Sequence, residues 1–148
     1  MLGTDLVALL DGTDLETQTG FTLELITVDA DGCPRVALLS VGEVVATGDR
    51  ALALALWPQS RTTANLERTA QALLAFVHDG AAYRVRLQAH RRADVLVADD
   101  ARAVFDAPVA AVERDEVPYA RLLGGITHQL SEPGQTLARW RATVAALR

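Results

Sequence analysis

Short apolar runs separated by tight-turn dipeptides fill the stretch from Phe21 to Ala89, and most links between them are only a few residues long. Parallel strands need a crossover of about a dozen residues or more, so these links predict antiparallel pairing and disfavour a doubly wound parallel sheet. Phe21, Leu23 and Leu25 alternate with Thr22 and Glu24, which gives a strand through about Val28. Asp29-Ala30-Asp31-Gly32 then turns the chain, with Asp-Gly as the local hairpin signal. Val36 to Ala46 reads as one buried strand, bent or bulged at Gly42. Leu52, Leu54 and Leu56 alternate with Ala53 and Ala55, a strand with one bulky face that Pro58 stops. Ala72 to His78 is a further apolar strand, and Asp79-Gly80 a further hairpin turn. Tyr83, Val85, Leu87 and Ala89 alternate with Arg84, Arg86, Gln88 and His90, the cleanest period-two pattern in the chain.

Outside that stretch the pattern predicts helices at both ends. Thr4 can cap a helix over about residues 4–11. Leu137, Trp140, Val144 and Leu147 share one stripe of a helix over about 134–147. Asp94 to Ala103 is expected to form a helical turn or two, Pro108 to Arg114 a strand, and Pro118 to Gly125 a short helix ended by its glycines. The expected architecture is mainly β with flanking helices: a single domain over 1–148, an antiparallel barrel of about six strands whose closure hides the sheet edges.

Composition removes several function classes. The net charge of −5 argues against a general nucleic-acid binder, which needs a basic surface to displace counterions. All 14 basic residues are arginine, so Schiff-base chemistry on a lysine is excluded. Cys33 has no partner for an internal disulfide, and no apolar stretch approaches 18 residues; a soluble cytoplasmic protein without membrane contact is expected. His78, His90 and His128 lack cysteine or carboxylate neighbours at ligand spacing, and Asp29-x-Asp31-Gly32 has its glycine misplaced for a calcium loop, so no metal is expected. No nucleophile elbow, P-loop or dinucleotide fingerprint is present, and no catalytic residue can be named.

One segment does point to a ligand. Ser60 is a good N-cap for a short helix from Arg61 to Arg68. Its first turn holds Arg61, Thr62 and Thr63 with no acidic residue, although a helix N-terminus carries about half a positive charge and favours an anion. Free amides, hydroxyls and a guanidinium at that end suit a bound anion such as a phosphate. The plainer alternative is an ordinary capped helix whose arginine faces water. Asn65, the chain's single asparagine, lies in the same helix.

The order of elements then carries a family likeness. A strand, the turn Asp31-Gly32-x-Pro34, two more strands, Ser60-Arg61-x-x-x-Asn65-Leu66, and the runs A-L-L-A-F-V and V-R-L-Q-A resemble the pyridoxamine 5′-phosphate oxidase-like split-barrel family from roughly Phe21 to Arg91. The resemblance implies a split β-barrel that forms a homodimer and binds FMN in two equivalent clefts between subunits. It implies that Ser60 and Arg61 hold the FMN phosphate and that Leu56 and Trp57 line the isoalloxazine. Thr62, Asn65 and Ser40 complete the implied cofactor-binding set.

Three positions depart from the family pattern. Thr62 stands where a lysine commonly follows Ser-Arg, Ser40 where relatives of the oxidase often carry a phosphate-binding arginine, and Val45 where a lysine is frequent. Each missing charge-assisted contact weakens phosphate binding by about 1.5–3 kcal/mol. Arg84 and Arg86 are the candidates to compensate. The expected function is therefore an FMN-binding protein, a flavin-dependent oxidoreductase of unassigned small-molecule substrate and not pyridoxamine 5′-phosphate oxidase itself. The alternative is a split-barrel module without flavin that binds a protein or another small anion; a deazaflavin- or haem-linked relative would share the fold.

Overall fold

Turn chemistry sets the first half of the chain, and the computed structural model describes residues 1–148 throughout. Helix α1 covers Thr4–Leu10, with Gly3 rather than Thr4 at its N-cap position and no side-chain cap bond. Strands β1 (Thr22–Val28) and β2 (Pro34–Ser40) form a hairpin in register from Val28↔Pro34 to Thr22↔Ser40. Gly32 supplies the left-handed residue of the turn, at φ 87°. Strands β3 (Val44–Ala46) and β4 (Ala51–Leu56) form the next hairpin. Helix α2 (Arg61–Thr69) leads into β5 (Gln71–His78), which pairs along its full length with β6 (Ala81–Gln88). Strands β7 (His90–Val97) and β8 (Asp100–Asp115) follow, and helix α3 (Pro133–Leu147) closes the chain.

Every pairing is antiparallel, in the order β2-β1-β5-β6-β8-β4-β3, with β7 also beside β8. The long strand β8 joins the two halves of the curled sheet. Residues 109–115 pair with β6 and residues 100–106 with β7, while residues 103–108 pair with β4. Val104 pairs with both Ala55 and Arg92, so β4 and β7 lie on opposite edges of β8. The result is the split-barrel architecture, mainly β with flanking helices. Strands β2 and β3 end the path without pairing to one another, so the sheet stays open there rather than closing.

The core is one cluster of 31 buried residues in which Leu23, Leu25, Leu54, Leu74 and Phe105 are fully enclosed. Emptying such a site, as in Leu54→Ala, costs about 2–5 kcal/mol. Strand β4 is buried on both faces rather than one: Ala53 and Ala55 are as enclosed as the leucines because α3 packs across β3 and β4. Gly42 is required by that packing, since a Cβ there would collide with the Trp140 ring. By contrast, Val28, Val36 and Leu38, which share the outward face of the first hairpin, are 45%, 51% and 57% exposed.

Four expectations are corrected. Val36 to Ala46 is two strands, because residues 41–43 turn the chain beneath Trp140. Asp94 to Ala103 is not helical but the tip of the β7–β8 hairpin, turned by Ala98 and Asp99 with φ of 49° and 69°. These values suit a primed turn built without glycine, which hid it. Pro118 to Gly125 forms no helix; Tyr119 and Leu123 are 89% and 96% exposed, and so short a helix needs a buried face to persist. The strands number eight rather than about six. The C-terminal helix is as expected, with Trp140, Val144 and Leu147 buried on one stripe.

Candidate functional site

Pro58 ends β4 and the chain then folds back on itself through Ser60. The Ser60 amide donates to the Trp57 carbonyl at 3.1 Å, and the Ser60 hydroxyl accepts the Thr63 amide at 3.1 Å, the N-cap that the sequence predicts. The Ser60 hydroxyl also donates to Thr63 Oγ1 at 3.0 Å, and Thr63 Oγ1 donates to the Trp57 carbonyl at 2.7 Å. This closed set of bonds fixes the entry of α2. It leaves the backbone amides of Arg61 and Thr62 without a protein acceptor. Arg61 is exposed and pairs with no carboxylate, while Thr62 is buried. No acidic residue lies in the first turn. The N-terminus thus offers two free N–H groups, a helix dipole and a guanidinium, the donor set that suits a phosphate.

Asn65 lies one turn further on and does a different task. Its amide nitrogen donates to Thr27 Oγ1 at 3.0 Å and to Asp29 Oδ1 at 2.8 Å, while its oxygen accepts from Arg68 at 3.1 Å. Asp29 in turn accepts two bonds from Arg35, at 2.8 and 3.0 Å. The Asn65 amide is therefore saturated, and it ties α2 to the end of β1. The Arg35 guanidinium, and then the Asn65 amide, hold the Asp29 carboxyl down at about 2, against an ordinary 3.8; Arg61 adds a weaker through-space pull. Asp29 is thus matched by Arg35 and does not plug the helix end.

Ser40 stands at a separate corner. Its amide and hydroxyl both donate to Glu43 Oε2, at 2.7 and 2.9 Å. A carboxylate already occupies the place where the family resemblance puts a phosphate ligand, and it repels a second anion. Ser40 and Glu43 instead border a cavity of about 630 Å³ between the start of α3 and residues 126–131, where His128 accepts or donates a 2.8 Å bond with Thr22. Leu56 is buried in the core, whereas Trp57, the next residue, is 54% exposed. The structure therefore groups Trp57, Ser60, Arg61 and Thr62, and sets Ser40 and Asn65 apart.

Arg84 and Arg86 do not supply charge to this corner. Arg84 pairs with Glu113 and Asp115, and Arg86 with Glu113, across the β6–β8 ladder. A residue that the sequence did not single out stands there instead. Arg102 lies one step past the last β4–β8 ladder pair, Leu56↔Ala103, and its guanidinium carbon sits 3.9 Å from the centroid of the Trp57 ring. It is 7% exposed, and its one hydrogen bond goes to the carbonyl of Ala101 at 3.1 Å. An arginine inside the apolar run A-R-A-V-F is the available signal, hidden by the helical turn expected over Asp94 to Ala103. None of the five main cavities of the single chain is lined by Trp57, Ser60, Arg61, Thr62 or Arg102.

Comparison with known proteins agrees with this architecture. No protein-family model matches the sequence. The chain is 34% identical over 143 residues to the uncharacterised protein YclD of Bacillus subtilis (strain 168), covering 97% of this chain and 93% of that one. Among solved structures it is similar to HupZ of Group A Streptococcus (TM-score 0.61, 17% identity, 82% of this chain and 99% of that one). It is also similar to a pyridoxamine 5′-phosphate oxidase-type protein of Lactobacillus delbrueckii (TM-score 0.56, 22% identity, 76% and 93%). An F420 reductase superposes with a TM-score of 0.52 at 14% identity over 65% of this chain and 91% of that one. At these identities the structural likenesses establish the fold. The chain belongs to one family with YclD, and its fold is that of the pyridoxamine 5′-phosphate oxidase-like split-barrel proteins.

Proposed function

We propose that the protein is a homodimeric FMN-binding split-barrel protein that serves as a flavin-dependent oxidoreductase of unassigned substrate. The observation that carries this reading is the start of α2: two amides without acceptors, a guanidinium without a carboxylate, and no acidic residue in the first turn. A phosphate monoester carries close to two negative charges at neutral pH and fits that donor set. In this reading Arg61, Thr62 and the turn fixed by Ser60 hold the phosphate, and Trp57 offers its exposed ring to the flavin. Bound FMN supplies the redox chemistry; the chain's residues bind and orient it and exclude water.

The corner's place outside the five main cavities of the single chain supports a dimer, in which a second chain supplies the facing wall. A ready surface for pairing exists in Val28, Val36 and Leu38 on the outward face of the β1–β2 hairpin. The test is to purify the protein, record flavin absorbance with and without added FMN, and sediment the sample. The reading expects stoichiometric FMN binding at micromolar concentration by a dimer. A colourless protein that ignores micromolar FMN overturns it. Leu38→Glu should yield monomers that lose FMN with the dimer.

A further inference from the structure

Eight of the 14 arginines form an ion pair with a carboxylate. Of the other six, Arg50, Arg61, Arg68, Arg139 and Arg148 are exposed, so water compensates their charge. Arg102 is different in kind: it is buried, it has no carboxylate, and one backbone carbonyl is its sole hydrogen-bond acceptor. Stacking on one indole face and one backbone hydrogen bond compensate its charge only in part, and its Nε and Nη2, without protein acceptors, still reach the surface. Four of the five guanidinium donor hydrogens are left without a protein acceptor.

A second imbalance lies a few residues away. A phosphate dianion at the start of α2 meets one guanidinium, Arg61, plus the partial charge of the helix end, so up to about half a negative charge stays unmatched. Trp57 connects the two. Its ring carries the Arg102 guanidinium, and its carbonyl accepts the Ser60 amide and the Thr63 hydroxyl that shape the helix end. The surplus cation and the surplus anion therefore answer one another. We infer that Arg102, held flat against Trp57, is the second phosphate-binding arginine of this chain, taking the place of the basic side chains absent at Ser40 and Thr62. The inference rests on the FMN reading above and adds a residue, a partner charge and a specificity: recognition of the phosphate monoester in preference to the uncharged flavin.

The test compares FMN with riboflavin, which has the same ring and no phosphate, in the wild-type protein and in Arg102→Met. Affinities come from quenching of flavin fluorescence, and the melting temperature of the ligand-free protein is recorded beside them. The wild type is expected to favour FMN over riboflavin, and Arg102→Met to cut that preference at least tenfold while leaving riboflavin affinity nearly unchanged. Its ligand-free melting temperature should change little, because the guanidinium makes one backbone hydrogen bond and no ion pair. Arg50→Gln, an exposed arginine elsewhere, should keep the full preference. If Arg102→Met is too unstable to titrate, Arg102→Gln reads the same ratio. An unchanged FMN-to-riboflavin preference, with FMN still bound, overturns the role of Arg102 alone. A lowered melting temperature with that preference intact overturns it too, by showing a structural role. A wild type that binds neither flavin overturns the FMN reading itself and the inference with it.

Discussion

Two pairs of arginines show what makes a cation available to a ligand. Arg84 and Arg86 are two residues apart on β6 and stand out in the sequence as candidate phosphate partners, yet Glu113 and Asp115 stand opposite them and absorb their charge. Arg61 and Arg102 are forty-one positions apart and look unrelated in the sequence. The fold brings both to the Trp57–Ser60 turn, one as the first residue of α2 and the other stacked on Trp57, and neither has a carboxylate within ion-pair distance. The density of positive charge along the chain says little about binding. The absence of a matching acid in space says much more. Ser40 illustrates the converse, since Glu43 fills its corner before any ligand can.

The sharpest way to break this comparison is to remove its two free arginines. Arg61→Ala should weaken FMN binding about 10- to 100-fold, the loss of one charge-assisted contact, measured by fluorescence titration. Ser60→Ala opens the turn that presents those donors; it should cost about 1 kcal/mol of stability in urea denaturation and loosen FMN to a smaller degree than Arg61→Ala.

Acid titration probes the fastening of α2 to β1. The Asp29 carboxyl sits at about 2 in the folded chain against an ordinary 3.8, so its contribution is complete above about 3.8 and is lost as pH falls toward 2. Melting temperature should drop across that window, and Asp29→Asn should flatten the drop while lowering stability near neutrality. Glu43→Gln should leave FMN affinity within about twofold, because the Ser40 corner lies outside the phosphate site. A marked gain in affinity would mean that the corner belongs to it. Arg84→Gln should do least: stability within about 1 kcal/mol, as for exposed ion pairs, and FMN affinity unchanged.

Much of this was legible before any coordinates, for physical reasons that differ by segment. Asp-Gly turns and period-two alternation determined β1, β5 and β6, since local geometry and burial agree there. The Ser60 cap and acid-free first turn of α2 were readable for the same reason. The β7–β8 hairpin was not, because its turn uses Ala98 and Asp99 in place of glycine and β7 carries a register shift between Arg92 and Val95 that breaks the alternation. The double burial of β4 and the need for glycine at 42 depend on α3 arriving from almost a hundred residues away. Arg102 and the saturation of Asn65 depend on pairings between distant strands, turns and helices, which no local pattern encodes, whereas the Ser40–Glu43 contact spans three residues but needs the turn at 41–43 that the sequence pattern hid.

The most direct measurement is a crystal structure of the protein grown with FMN. The account predicts the phosphate against the backbone amides of Arg61 and Thr62, within hydrogen-bond distance of the Arg61 and Arg102 guanidiniums, with the flavin in a crevice shared by two chains. A phosphate bound at the Ser40–Glu43 corner, or an α2 N-terminus facing water while FMN lies elsewhere, would contradict it.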